Sequence, residues 1–345
     1  MTMPNIAPEY LLLLFSQHQW RRPLAIYYVL QGKRTVSNLY AGLAYQLLSL
    51  YQFLPQLQLA DYQHQLKYLV QQGWLVVQDK KMKKTVQGQQ HEQEWRQQHQ
   101  VPTGIDSLHF PKADHYTARL FLATQVVSEL GYQNRQYYPL MIAERDRIAV
   151  KQWLFRQNKA TVVTAFAQDW QHFLNQLPSA DATFMSFFLS GHAVDRLTIE
   201  QVAVRQQTTA FAVFLRQQTL IYQLLSSLPQ LPLFASLWQP LAPTSLLSRS
   251  AAQTYQAVLQ GTSIQTLQQR RQLKVSTLTE HLLEAAILMP DFPFEQFLNT
   301  DQQHYLATQL HDVPIDQWQF QQLAQPLPFF QFRLYQIQQR RRTHG

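Results

Sequence analysis

No cysteine occurs in the 345 residues, which excludes disulfides, thiolate zinc sites and cysteine nucleophiles. That lack fits a reducing compartment. The short apolar run at residues 11–15 ends in Ser16-Gln17-His18 without a cleavage-site pattern, so no secretory signal is read and a cytoplasmic location is expected. Glycine is scarce, at 9 residues. None of them builds a phosphate-cradling loop, so a Walker-type ATPase is excluded and no cofactor is expected. Charge is thin as well: 14% of residues are charged, against about a quarter in ordinary globular chains. The greasiest stretch, residues 208–247, is broken by Arg216 and by several Gln and Pro, so no membrane span is expected.

Glutamine fills many of the polar positions instead, and it is a good helix former. It is interleaved with Leu, Phe and Tyr at helical spacing, which points to ordered helix rather than a prion-like tract. The fold class expected is therefore mainly α. A net charge of +8 and a pI near 9.6 favour a polyanionic partner. The length allows two or three domains.

The expected division is a winged-helix-like domain at 8–90, a helical middle domain at 112–227 and a C-terminal helix-turn-helix domain at 244–345. In the first, helical segments at 10–15, 24–30, 38–53 and 59–72 precede a glycine stop at Gly73. Alternating residues at 74–78 and 82–87 then read as a hairpin around Asp79-Lys80-Lys81. This wing carries Lys80, Lys81, Lys83 and Lys84 against Asp79. Two readings stand open: phosphate contact, or lysines that keep an edge strand from aggregating. Residues 89–110 read as a polar linker. Helices are expected at 118–130, 140–155, 162–177, 182–189 and 199–225, with Thr198 and Gln201 forming a capping box. A well-capped helix is favoured there over a second helix-turn-helix. Residues 229–243 form a Pro- and Leu-rich connector with Leu233, Phe234 and Trp238. It is either a docking segment or, the favoured reading, internal core. Helices at 294–298, 302–310, 315–323 and 329–341 close the chain, with Arg340-Arg341-Arg342 adding charge at a fraying end.

Residues 251–290 carry the functional signal. A short helix breaks at Gly261, a second opens at Ser263, a turn follows at 272–274, and a third helix opens near Ser276. Ser is a residue type that caps first-turn amides. Ile264 and Leu267, then Leu278, Leu282, Ala285 and Ala286, recur at helical spacing. Two short helices with facing apolar stripes describe a helix-turn-helix, whose second helix normally enters the major groove.

On Thr254, Gly261, Ser263-Ile264, Leu267, Arg270 or Arg271, Leu273, Ser276-Thr277-Leu278 and His281-Leu282, the segment resembles the helix-turn-helix at the C-terminus of some RecQ-type helicases and in the YpbB family of low-GC Gram-positive bacteria. Length and a helical N-terminal two-thirds resemble YpbB rather than a helicase. The resemblance implies a helicase-associated role, because YpbB-type proteins are typically encoded beside a RecQ-type helicase. Two positions depart from the family: Gln268 stands where a small Ala is usual, and Gln272 where Gly is usual. A non-glycine residue in a left-handed turn costs roughly 1–2 kcal/mol.

No active site emerges. His281 and Glu284 are one helical turn apart, but a solvated helix surface is favoured over metal ligation. Asp106 with His109 and Asp114 with His115 are of the kind that chance supplies, and Glu144-Arg145-Asp146-Arg147 reads as a charged face with local ion pairs. On the third helix Ser276, Thr277, Thr279, Glu280 and Leu283 are expected to face outward. Ser276, Thr277 and Thr279 can touch bases or phosphates, and Lys274 with the helix N-terminus can hold a phosphate. Glu280 and Glu284 oppose that, so Arg270, Arg271 and Lys274 must dominate the approach. The expectation is a non-enzymatic DNA-binding accessory protein that acts with a RecQ-type helicase in DNA repair or recombination. The alternatives are an adaptor that docks on protein without touching DNA, and a transcriptional regulator. Oligomeric state is left open.

Overall fold

Helix follows from the Gln- and Leu-rich composition: the described residues hold 17 α-helices and one two-stranded sheet. The computed structural model describes residues 4–99 and 101–344. No described helix is long and apolar enough to cross a membrane. Two compact units interleave along the chain. The first takes the chain up to Leu11, Gln56–Tyr68 and Gln90–Pro243; the second takes Leu12–Pro55, Leu69–Gln89 and the chain from Thr244. The linear division at 8–90, 112–227 and 244–345 groups neighbours in sequence, whereas these units group neighbours in space.

The first unit is built on the helices Ala113–Gly131, Glu144–Arg156, Val162–Asn175 and Ala210–Ser226. The connector at 229–243 is part of its core. It folds into the helix Pro232–Trp238, because the Asp169 carboxylate accepts from the amides of Leu233 and Phe234 at 2.8 and 3.0 Å. Phe234 is fully buried and meets Phe166 and Trp170 edge-on, while Trp238 packs on Phe110 and Tyr116. That burial removes both aromatics from any docking role. The expected helix at 199–225 is two helices, Ile199–Arg205 and Ala210–Ser226, because Gln207 turns left-handed and Thr209 caps the second. The Thr198–Gln201 capping box is formed. The Glu144–Arg147 pair forms at 2.5 Å on the surface, but Asp146 is buried and bonds Arg119 and His115 at 2.8 and 2.6 Å. His115 thus serves Asp146, not Asp114. Asp106 and His109 do meet, at 2.8 Å.

In the second unit the helices Pro23–Gln31 and Val36–Ala44 precede the wing, with Thr35 capping Val36–Ala44 through the Asn38 amide. The expected helix at 38–53 stops at Ala44: Gln46 turns left-handed and the Leu47 amide reaches back to the Gly42 carbonyl at 2.7 Å, a C-terminal motif that closes a helix. A 3-10 turn, Leu48–Leu50, follows. The hairpin pairs Leu75–Gln78 with Lys81–Lys84. Asp79 and Lys80 both have positive φ, as a two-residue turn of type I′ requires. Residues expected to start a linker instead form the helix Val86–Gln98, most of which is counted with the first unit; it is opened by Thr85, whose hydroxyl accepts from the Gly88 amide. Gly88 is compelled there, since a Cβ would sit 2.1 Å from the Trp74 carbonyl oxygen. From Thr244 onward come Arg249–Leu259, Ile264–Arg271, Val275–Leu288, Thr300–Leu310 and Phe329–His344. Val275–Leu288 packs on Arg249–Leu259, Val36–Ala44 and Phe329–His344.

Candidate nucleic-acid interface

Ser263 caps the helix Ile264–Arg271, its hydroxyl accepting from the Thr266 amide at 3.1 Å. The helix ends at Gln272, which takes the left-handed conformation that the family's glycine would take, φ 52° and ψ 38°. The next helix opens one residue before the expected Ser276. It begins at Val275, with Lys274 as its cap and no side chain bonded to its first amides. The Thr277 amide donates to the Lys274 carbonyl at 3.0 Å, which leaves the amides of Val275 and Ser276 without an intrahelical partner, and Lys274, Val275 and Ser276 are exposed around them. Arg270 is exposed at the end of the preceding helix, while Thr277 and Thr279 are half-buried. Thr279 donates to the Ser276 carbonyl at 2.9 Å. Leu278 and Leu282 are fully buried, as the register predicts. Leu283 is buried as well, against the expectation, because Val275–Leu288 is covered on several sides and its second half has no free face.

Arg271 faces inward. Its guanidinium donates to the Ser250 carbonyl at 3.1 Å, the Ser250 hydroxyl at 2.9 Å and Gln253 Oε1 at 3.1 Å, and it also bonds Thr254. Thr254 in turn meets His281 Nδ1 at 2.8 Å. Burial disfavours the charged ring, and Arg271 repels it, so the His281 pKa lies below its ordinary value. Three of the motif residues, Thr254, Arg271 and His281, therefore form one internal strut. Glu284 is also internal, against the expected solvated surface. Its carboxylate accepts from Arg34 at 2.9 Å and from the Ser248 amide, at the start of Arg249–Leu259, at 2.6 Å. Among the described residues no group of His, Asp and Glu could hold a metal ion.

Two cations had no sequence signal for the roles they take. Arg34 neutralises Glu284. Arg341, expected in a frayed tail, donates to the carbonyls of Ala286 and Met289 at 3.0 and 2.8 Å and so closes the C-terminus of Val275–Leu288. Arg340 pairs with Asp316. Arg340 is buried and Arg341 half-buried because Phe329–His344 packs on Val275–Leu288 instead of fraying.

On the wing, Lys80 and Lys81 are exposed, Lys83 is half-buried with its ammonium 5.0 Å from the centre of the Trp20 ring, and Lys84 is buried. The outer side of Lys81–Lys84 is partly paired beyond its two-stranded sheet. Met82 exchanges both backbone hydrogen bonds with Arg21, and the Lys84 amide donates to the Ser16 carbonyl.

Residues 250–336 match the family described as Helix-turn-helix domain. The chain carries a C-terminal helix-turn-helix domain. Over 193 residues it is 25% identical to Protein YpbB of Bacillus subtilis (strain 168), which covers 55% of this chain and 54% of that protein. The chain thus spans about half the length of that curated relative. No solved structure matches it.

Proposed function

We propose that the protein is a non-enzymatic DNA-binding accessory factor that grips DNA chiefly through phosphates and works with a RecQ-type helicase in DNA repair or recombination. The observation that carries this reading is the open first turn of Val275–Leu288, flanked by Arg270 and Lys274. Exposed amides at a helix N-terminus favour an anion. The acidic objection is halved, because Glu284 is internal and paired with Arg34 while Glu280 alone remains exposed. Lys80 and Lys81 on the wing add point charges within the same compact unit. In this reading Arg270, Lys274, Ser276, Thr277, Lys80 and Lys81 touch DNA, Thr279 lies at the margin, and Lys83, Lys84 and Arg271 position them. The helicase partnership rests on the resemblance to YpbB and to helicase tails.

The second reading, a protein-docking adaptor, is favoured by Glu280 and by Val275, which is 44% exposed on the same turn. Titration of labelled duplex and forked DNA across a salt series separates the two. Log K should fall by about 0.9 per phosphate neutralised on duplex. Lys80→Ala with Lys81→Ala should weaken all duplexes alike and make the slope shallower by about two. No binding to any DNA form at low salt would leave the adaptor, and failure to co-purify with a RecQ-type helicase would remove the partnership.

A further inference from the structure

Beyond that reading, the first unit presents an apolar and basic face with no role in the helix-turn-helix. The segment between Ala113–Gly131 and Glu144–Arg156 has no regular structure, yet it is pinned. Gln125, itself buried, donates to the Tyr138 carbonyl at 3.1 Å and accepts from the Leu140 amide at 2.8 Å. The backbone is thus held while the side chains of Tyr138 and Met141 stand 98% and 95% exposed. The following helix buries Asp146, Val150 and Trp153 and turns Ile148, Lys151 and Phe155 outward, with Phe155 84% exposed. Cations lie near these groups along the chain: Arg135 comes three residues before Tyr138, Lys151 one helical turn before Phe155, and Arg156 directly after it; all three are exposed and, among the described residues, no carboxylate pairs with them.

Exposed rings held on a fixed backbone are pre-organised to stack on flat groups, which lowers the ordering cost of binding. Exposed rings that alternate with unpaired cations fit a flexible polyanion carrying flat apolar groups. We propose that this face binds single-stranded nucleic acid, with bases stacking on Tyr138 and Phe155 and phosphates meeting Arg135, Lys151 and Arg156. Duplex DNA does not fit, because its bases are already stacked on one another, whereas a single strand offers them. The helix between the two rings is about 20 Å long, so the rings engage different nucleotides.

The test uses the full chain with fluorescent oligo(dT) and oligo(U), and a hairpin duplex as control. Tyr138→Ala and Phe155→Ala should each weaken single-strand binding about five- to hundredfold and leave duplex binding unchanged. Tyr138→Phe and Phe155→Tyr should restore it. Arg156→Gln should make the single-strand salt slope shallower by about 0.7. Equal losses on oligo(dT) and oligo(U) support a sequence-tolerant site for either strand, and a loss confined to one identifies the source. Circular dichroism confirms the fold, which exposed substitutions should not disturb. Single-strand affinity indifferent to both alanine variants overturns the proposal. So does ring-dependent binding of an acidic amphipathic peptide without single-strand binding, which would make the face a protein-docking surface. A parallel loss of duplex affinity would overturn the separation of this face from the helix-turn-helix.

Discussion

Gln272 pays for the turn between the two motif helices. It adopts φ 52° with a full side chain, a conformation that costs roughly 1–2 kcal/mol for a residue with a Cβ. Gln272→Gly should therefore stabilise the domain. Glycine loses more chain entropy on folding, so the expected net gain is about 0.5–1 kcal/mol in urea unfolding, and a loss would show that the Gln272 side chain has a contact of its own. His281 supplies a pH dependence with a definite sign. Its folded pKa lies below the ordinary 6.5 because of burial and the neighbouring Arg271. The stability it contributes is present above pH 6.5 and is lost as pH falls through the lowered folded value. Stability measured across that window should fall for the native chain, and His281→Asn should flatten the fall. At this scale the motif residues were legible in the sequence, but their direction was not. Thr254, Arg271 and His281 were visible as a pattern, and only the packing of Arg249–Leu259 against Val275–Leu288 turns them toward one another.

At the scale of elements, Val275–Leu288 is both the last helix of the motif and the element on which Arg249–Leu259, Val36–Ala44 and Phe329–His344 pack. Its exposed first turn contrasts with a second half in which Leu282 through Leu288 are all buried. Leu282→Ala should cost about 2–5 kcal/mol, and Glu284→Ala about 1–3 kcal/mol, since it leaves the Ser248 amide and Arg34 without their acceptor. Chemical denaturation measures both, and a Glu284→Ala protein as stable as the native one would show that water replaces the carboxylate. Helical period and cap residues made most helices readable, including Thr198 with Gln201 and the buried pair Leu278 and Leu282. Helix ends were less readable. Ala44 and Arg205 are each followed by a glutamine in the left-handed region, at Gln46 and Gln207. A residue that usually continues a helix gives no warning when it ends one. The helix Pro232–Trp238 was hidden for another reason: its cap, Asp169, lies far away in sequence.

At the scale of the molecule, the second unit is assembled from three separated stretches, and no local pattern could announce that. Val36–Ala44 packs on Val275–Leu288, so the two should open together. Hydrogen exchange should give amides in both helices similar protection, and Leu282→Ala should lower it in both. Acceleration confined to the residues after Thr244 would mean that the N-terminal stretch is stable by itself. The interleaving also bears on how the chain is made. Between Gln89 and Thr244 lie about 150 residues, which a ribosome adds at about 5–20 per second, or in roughly 8–30 s. Throughout that delay the apolar side of Val36–Ala44 has been synthesised but its covering helix has not. The nascent protein therefore emerges with an unfinished hydrophobic surface, and a chaperone that holds residues 12–89 until Val275–Leu288 arrives would raise its folding yield.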